Sequence, residues 1–200
     1  MDESSDHVAR VAAFQLISGD AQTVREAIEQ AQIRTQSDRL PSHSSVRKHH
    51  EFMQQEAMGL KEWHKRRLNR LEALETVLQT ILYAVPEARV FVTGRAAEGH
   101  VDQTGPASIR VLCDEPMDVI IDVLESHGLG PMEVSSVRTQ FGRCGTAMHH
   151  EESLWIRLIF LPNRSESQLK FNVIDGSAVS VVDVLGFTDL VEQARIQAVA

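Results

Sequence analysis

Residues 91–114 read FVTGRAAEGHVDQTGPASIRVLCD: an apolar run closed by Gly94, a second glycine at Gly99, a polar loop, and a second apolar run. Short β-branched runs bounded by Gly and Pro are the signature of strands, so ARVFVT (88–93) and SIRVLC (108–113) are expected to be two of them. Glycines in the connection permit positive φ and a close approach of backbone, which is how several folds bring N–H groups to a phosphate. The turn lacks the lysine and hydroxyl of a GxxxxGK[ST] loop, since His100 and Val101 follow Gly99, and it lacks the third glycine of GxGxxG. On spacing alone, two such glycines are more often plain turn residues.

Outward from this stretch, the two halves of the chain differ in period. Downstream, MDVIIDVLESHG (117–128) reads as an amphipathic helix closed by Gly128. MEVSSVRT (132–139), SLWIRLIFL (153–161) and QLKFNVI (168–174) read as strands, and DVLGFTDLVEQARI (183–196) as a closing helix. GRCGTAMHHEE (142–152) reads as an exposed loop. Upstream, apolar residues recur at three- and four-residue steps: Val8, Val11, Ala12, Leu16 and Ile17, then Val24, Ala27, Ile28 and Ala31. TQSDRLPSHSS (35–45) is a loop in which Ser44 or Ser45 is placed to cap a helix from Val46 to Met58. A long helix from Leu60 carries the stripe Leu68, Leu71, Leu74, Leu78, Ile81, Leu82 and Val85 and ends at Pro86. The expectation is an α+β protein with a helical region over 1–86 and a small mixed-sheet α/β domain over 87–200.

With 200 residues and 42% hydrophobic content the chain can bury a substantial core. A net charge of -8 argues against wholesale electrostatic attachment to nucleic acid or to an anionic membrane, so no membrane or DNA partner is expected. MDESSDHVAR is acidic and polar, which does not read as a signal peptide, and Cys113 and Cys144 form no disulfide framework, so a cytoplasmic setting is expected. One region runs against the overall charge: between Arg39 and Arg70, eight basic residues face Glu51, Glu56 and Glu62. There Lys61, Lys65, Arg66 and Arg70 follow helical steps beside Trp63, a pattern open to nucleic-acid phosphates, although a solvated face is the commoner explanation. His149, His150, Glu151 and Glu152 are neighbours in sequence, but adjacent residues rarely supply two ligands to one tetrahedral ion, and no HExxH or Cys-rich spacing accompanies them. No GxSxG or activated-cysteine context is present either.

The order of these motifs resembles the nucleotidyltransferase superfamily with polymerase-β-like folds. GRAAEG (94–99) matches its phosphate turn in glycine spacing, ASIRVLC (107–113) stands where its acidic strand stands, and EPMDVIIDVLESHGL (115–129) where its next helix does. LPSHSSVRKHH (40–50), the long helix before ARVFVTG, and LIFLPNRSESQLKFNVIDGSAVS (158–180) look like a little-characterised bacterial branch in which a helical region precedes a trimmed core. The resemblance implies two carboxylates on alternate positions of one strand, holding Mg²⁺ over the triphosphate. Here those positions are Ser108 and Arg110, the serine after the first glycine is Arg95, and the strand expected to bear a third acid offers only Arg157. Arginine repels a cation rather than ligating it.

The expectation is therefore a degenerate, non-catalytic member with no catalytic residue and no metal, binding a nucleotide, anion or macromolecular partner through Gly94, Arg95, Gly99, Ser108 and Arg110. An active Mg²⁺-dependent enzyme would need carboxylates relocated to Asp102, Asp114, Glu115 or Asp175. A third possibility is an RNA-associated or regulatory adaptor using the basic helix face from Lys61 to Arg70.

Overall fold

The computed structural model describes residues 3–102, 104–140, 142–151 and 154–199. The chain divides into two compact units, residues 1–65 and 66–200. The first holds helices α1 (Glu3–Ser18), α2 (Val24–Thr35) and α3 (His43–Met58). Its core is built from small side chains: Ala9, Ala12, Ala13, Ala27 and Ala31 are all fully buried among Val8, Val24, Ile28 and Val46. Thr23 caps α2 by accepting from the Glu26 N–H, and the Glu26 carboxylate in turn accepts from the Gln22 N–H. The cap of α3 differs from expectation. Ser42, not Ser44 or Ser45, accepts the Ser45 N–H at 3.1 Å, because Pro41 ahead of it presets an extended entry and the helix starts earlier, at His43.

Helix α4 (Leu60–Ala84) crosses the division between the units. The change from helix to strand does fall after Val85, but the second unit begins earlier because Leu71, Leu74, Leu78 and Ile81 are fully buried in the core of the sheet. That sheet comprises β1 (Arg89–Thr93), β2 (Ala107–Leu112), β3 (Glu133–Thr139), β4 (Gly142–Glu151), β5 (Leu154–Leu161) and β6 (Val181–Asp183), in the order β3-β4-β5-β2-β1-β6. The β2–β5 pair is parallel and the others are antiparallel. Helix α5 (Met117–Ser126) and α6 (Val184–Val199) join α4 on one face, where Ile120, Leu124, Phe187 and Val191 meet Ile109, Val111, Ile156 and Leu158. The opposite face carries a smaller cluster of Leu112, Ile159 and Leu161 with Leu169 and Val173. No described helix is long and apolar enough to cross a membrane.

Two segments depart from the sequence reading. GRCGTAMHHEE is not a loop: Gly142–Glu151 is β4, hydrogen-bonded between β3 and β5. Its small residues hide the strand period, and at one of them, Gly145, an added Cβ would have to displace the flexible end of the Met117 side chain. Alternation in the strand turns His149 and His150 to opposite faces. His149 is buried with Nδ1 near the Pro131 carbonyl, while the His150 ring packs edge-on to Trp155; Glu152 lies outside the described residues. QLKFNVI is not a strand. After a 3-10 turn over Asn163–Gln168 the chain makes one bridge, Phe171 to Ala178, and then forms the short edge strand β6, which the sequence reading lacks.

Candidate functional site

Side chains alternate along a strand, and paired residues share a face. The ladders therefore set Thr93, Ser108, Arg157 and Met148 side by side across β1, β2, β5 and β4, with Phe91, Arg110, Ile159, Thr146 and Ser135 as the next row. Over these rows lies a cavity of about 480 Å³, whose lining includes Gly94, Ser108, Arg110 and Arg157 on the sheet side. Its far wall is formed by Asn172, Val173, Ile174 and Val179.

Arg110 holds that wall. The side chain is 2% exposed, and its guanidinium donates to the carbonyls of Gln168 at 2.8 Å, Leu169 at 2.7 Å and Phe171 at 2.5 Å. Gln140 adds its N–H to the Val173 carbonyl and its side-chain amide to that of Asn172. Asp175 closes the tip by accepting from the N–H and hydroxyl of Ser177. A guanidinium offers five donors and no acceptor, so a carbonyl-rich turn can replace the strand ladder that the apolar pattern of 168–174 suggests.

Arg157 stands beside Ser108 in the same cavity and has no such partners. Its Nε is buried and unbonded, and neither its guanidinium nor the Ser108 hydroxyl has a hydrogen-bond partner among the described residues. Burial alone pulls its affinity for its proton below the ordinary arginine value, with no neighbouring charge of either sign contributing. No Asp or Glu lies among the described lining residues. The cavity thus holds two guanidiniums, of which one is engaged by carbonyls and one is not. Sequence reasoning met Arg157 only as a missing acid. Thr146 and Met148 are not legible as cavity residues because the small residues of 142–151 hide the strand that carries them, and without that strand the place of Ser135 on β3 is not fixed either.

The glycine turn is arranged differently from a phosphate cradle. Gly94 lines the cavity at φ 68°, but its N–H donates to the Ser180 carbonyl at 2.8 Å. Residues 94–98 form a 3-10 turn, and the N–H groups of Gly99 and His100 bond back to Ala96 and Arg95. Gly99 lies outside the lining, where its carbonyl accepts from Arg67 Nε at 2.9 Å. Arg95 also points elsewhere, donating to Asp102 at 2.7 Å. Asp102 further accepts from the N–H and hydroxyl of Thr104; burial raises its carboxyl, but Arg95 and Thr104 outweigh this and hold it below the usual range. The structure thus brings Gly94, Ser108 and Arg110 together and leaves Arg95 and Gly99 outside.

The carboxylates available for relocation do not converge on the cavity. Asp102 is paired as above, Asp114 accepts from the backbone and side chain of Asn163, and Asp175 serves the Ser177 turn; none is in the lining. Among the described residues no group of three His, Cys, Asp or Glu is placed to hold a metal ion. The Mg²⁺ that the sequence resemblance implies does not fit Ser108, Arg110 and Arg157, which offer one hydroxyl and two cations.

No protein-family model matches the chain, and no curated protein is similar to it in sequence. Among solved structures, it is similar to a crystal structure of the Cid1 poly(U) polymerase with MgGTP bound, at 16% identity and a TM-score of 0.35, covering 48% of this chain. The match covers 32% of the polymerase, so it spans about a third of that protein's length.

Of the basic residues on α4, Lys61 and Lys65 are exposed at the end of the first unit, and Arg66 is exposed at the start of the second. Arg70 is half-buried; burial lowers its proton affinity, and nearby Asp102 works in the opposite direction. Arg70 is thus partly turned toward its own unit and is less available to an external phosphate.

Proposed function

We propose that the α/β unit is a nucleotidyltransferase-like core without metal chemistry, whose cavity binds an anion directly and carries out no group transfer. The observation that carries this reading is Arg157: a half-buried guanidinium with no described hydrogen-bond partner, in a cavity with no described carboxylate. An uncompensated buried charge is costly, and an entering anion relieves that cost while gaining charge-assisted hydrogen bonds. Ser108, at the place of the first metal-binding acid, supplies a neutral hydroxyl beside it. Relative to the sequence reading, the anion contact moves from Arg95 and Arg110, which are engaged, to Arg157 with Ser108.

The test is a thermal-shift series with inorganic phosphate, acetate, short-chain carboxylates and the four nucleoside triphosphates, each with and without Mg²⁺. A ligand that binds only the folded state raises the melting temperature with occupancy. At least one anion is expected to do so independently of Mg²⁺ and to lose the effect in Arg157→Gln. Nucleotidyl transfer that needs Mg²⁺ and vanishes in Asp102→Asn, Asp114→Asn or Asp175→Asn would overturn the reading.

A further inference from the structure

The cavity's composition narrows the anion further, given that an anion binds there at all. Charge sets the first limit. Arg110 commits both terminal nitrogens to carbonyls, which leaves Arg157 as the guanidinium in the lining with unengaged terminal nitrogens. One planar fork matches one carboxylate, two N–H groups to two oxygens. A phosphate monoester brings nearly two negative charges at neutral pH, and a triphosphate more, so without a metal each would leave buried charge unpaired.

The walls set the second limit. Val137, Met148, Ile159, Val173 and Val179 make most of the remaining surface apolar, and Ile174, 60% exposed, stands at the mouth. No aromatic side chain lies among the described lining residues, so a nucleobase would find no stacking partner. Ligand cavities of about 300–1,000 Å³ with apolar walls and few polar anchors suit small amphiphiles. The Ser135 and Thr146 hydroxyls are bonded to each other at 2.8 Å, which satisfies part of the hydrogen-bonding capacity of two of the polar groups on the sheet side.

We infer that the cavity takes a small carboxylic acid with an apolar body, an alkyl or aryl carboxylate. Its carboxylate lies on Arg157 and Ser108, and its body lies against Met148, Ile159, Val173 and Val179. Binding is an ion pair with apolar burial, and no bond in the ligand is made or broken.

The experiment is calorimetric titration of the full chain with octanoate below its micelle-forming concentration, with 1-octanol, acetate, inorganic phosphate and ATP as comparators. Octanoate is expected to bind at one site, and octanol and acetate at least tenfold more weakly, because each lacks one half of the recognition. Arg157→Gln is expected to weaken octanoate binding at least tenfold, about 1.4 kcal/mol, with an unchanged or raised melting temperature showing that the fold persists. Ser108→Asp supplies an internal carboxylate to Arg157 and is expected to abolish octanoate binding while raising the melting temperature. Tighter binding of phosphate or ATP than of octanoate, lost in Arg157→Gln, would overturn the carboxylate assignment and leave anion binding standing. Equal binding of octanol and octanoate would also overturn it. If no anion binds, or if binding is indifferent to Arg157, both readings fall.

Discussion

Replacing Arg110 by Met deletes three hydrogen bonds and strands the carbonyls of Leu169 and Phe171, while that of Gln168 keeps the Phe171 N–H. Charge-assisted bonds of this kind contribute on the order of 1.5–3 kcal/mol each, but they are not additive, so a loss of about 2–4 kcal/mol is expected by urea denaturation. Arg157→Met removes a half-buried guanidinium without described partners and is expected to raise stability by about 1 kcal/mol in the ligand-free protein. The same substitution at two arginines on neighbouring strands should thus have opposite signs. Alternation in the sequence placed Arg110 on the right face, but nothing in it showed which carbonyls would come to meet the side chain. Asp102 gives a pH signature. Burial disfavours its charge, yet Arg95 and Thr104 prevail, and its folded value lies below the ordinary one. A depressed carboxyl stabilises fully above its unfolded value of about 3.9 and loses that contribution as pH falls through the folded value. Asp102→Asn should therefore lower stability at neutral pH and flatten its decline below about pH 4, measured as unfolding free energy against pH.

At the level of elements, β1, β2 and β5 were legible because Val, Ile and Leu dominate them and Gly or Pro bounds them. β4 was not, since Gly142, Gly145 and Ala147 erase the alternation that its hydrogen bonds obey. The segment 168–174 failed in the opposite sense: Leu169, Phe171 and Val173 alternate as in a strand, but the carbonyls of Leu169 and Phe171 accept from the Arg110 side chain. Turn glycines differ in the same way. Gly94 and Gly99 both have positive φ, but a Cβ at Gly94 meets open space, whereas one at Gly99 would lie 2.6 Å from the Arg67 guanidinium. Gly94→Ala should cost about 1 kcal/mol from backbone strain alone. Gly99→Ala should cost more, and combining it with Arg67→Ala should bring the loss attributable to Gly99 down to that of Gly94→Ala, a comparison that a double-mutant cycle reads directly.

On the scale of the molecule, each unit has its own buried cluster, but the clusters differ in quality. The helical unit relies on alanines, whereas the α/β unit buries Leu, Ile and Phe side chains on both faces of a sheet. Because apolar stabilisation scales with area removed from water, a fragment of residues 66–200 is expected to melt cooperatively. Residues 1–65 alone should give a broad, weakly cooperative loss of helix by circular dichroism. The period change near Pro86 suggested a different division, because a helix packed onto a sheet looks in sequence like any other amphipathic helix. The parallel pairing of residues 107–112 with 156–161 also bears on the time course of folding. Helix α5, β3 and β4 all lie within the loop that this pairing closes, and long-range ladders form slowly because chain entropy is lost before contacts repay it. The β3–β4–β5 meander can assemble locally, but Ser108 and Arg157 become neighbours only when the central ladder zips. An anion that needs both has no partner in the unfolded chain or the early meander, so it should slow unfolding in a stopped-flow chevron and leave the refolding limb where it was.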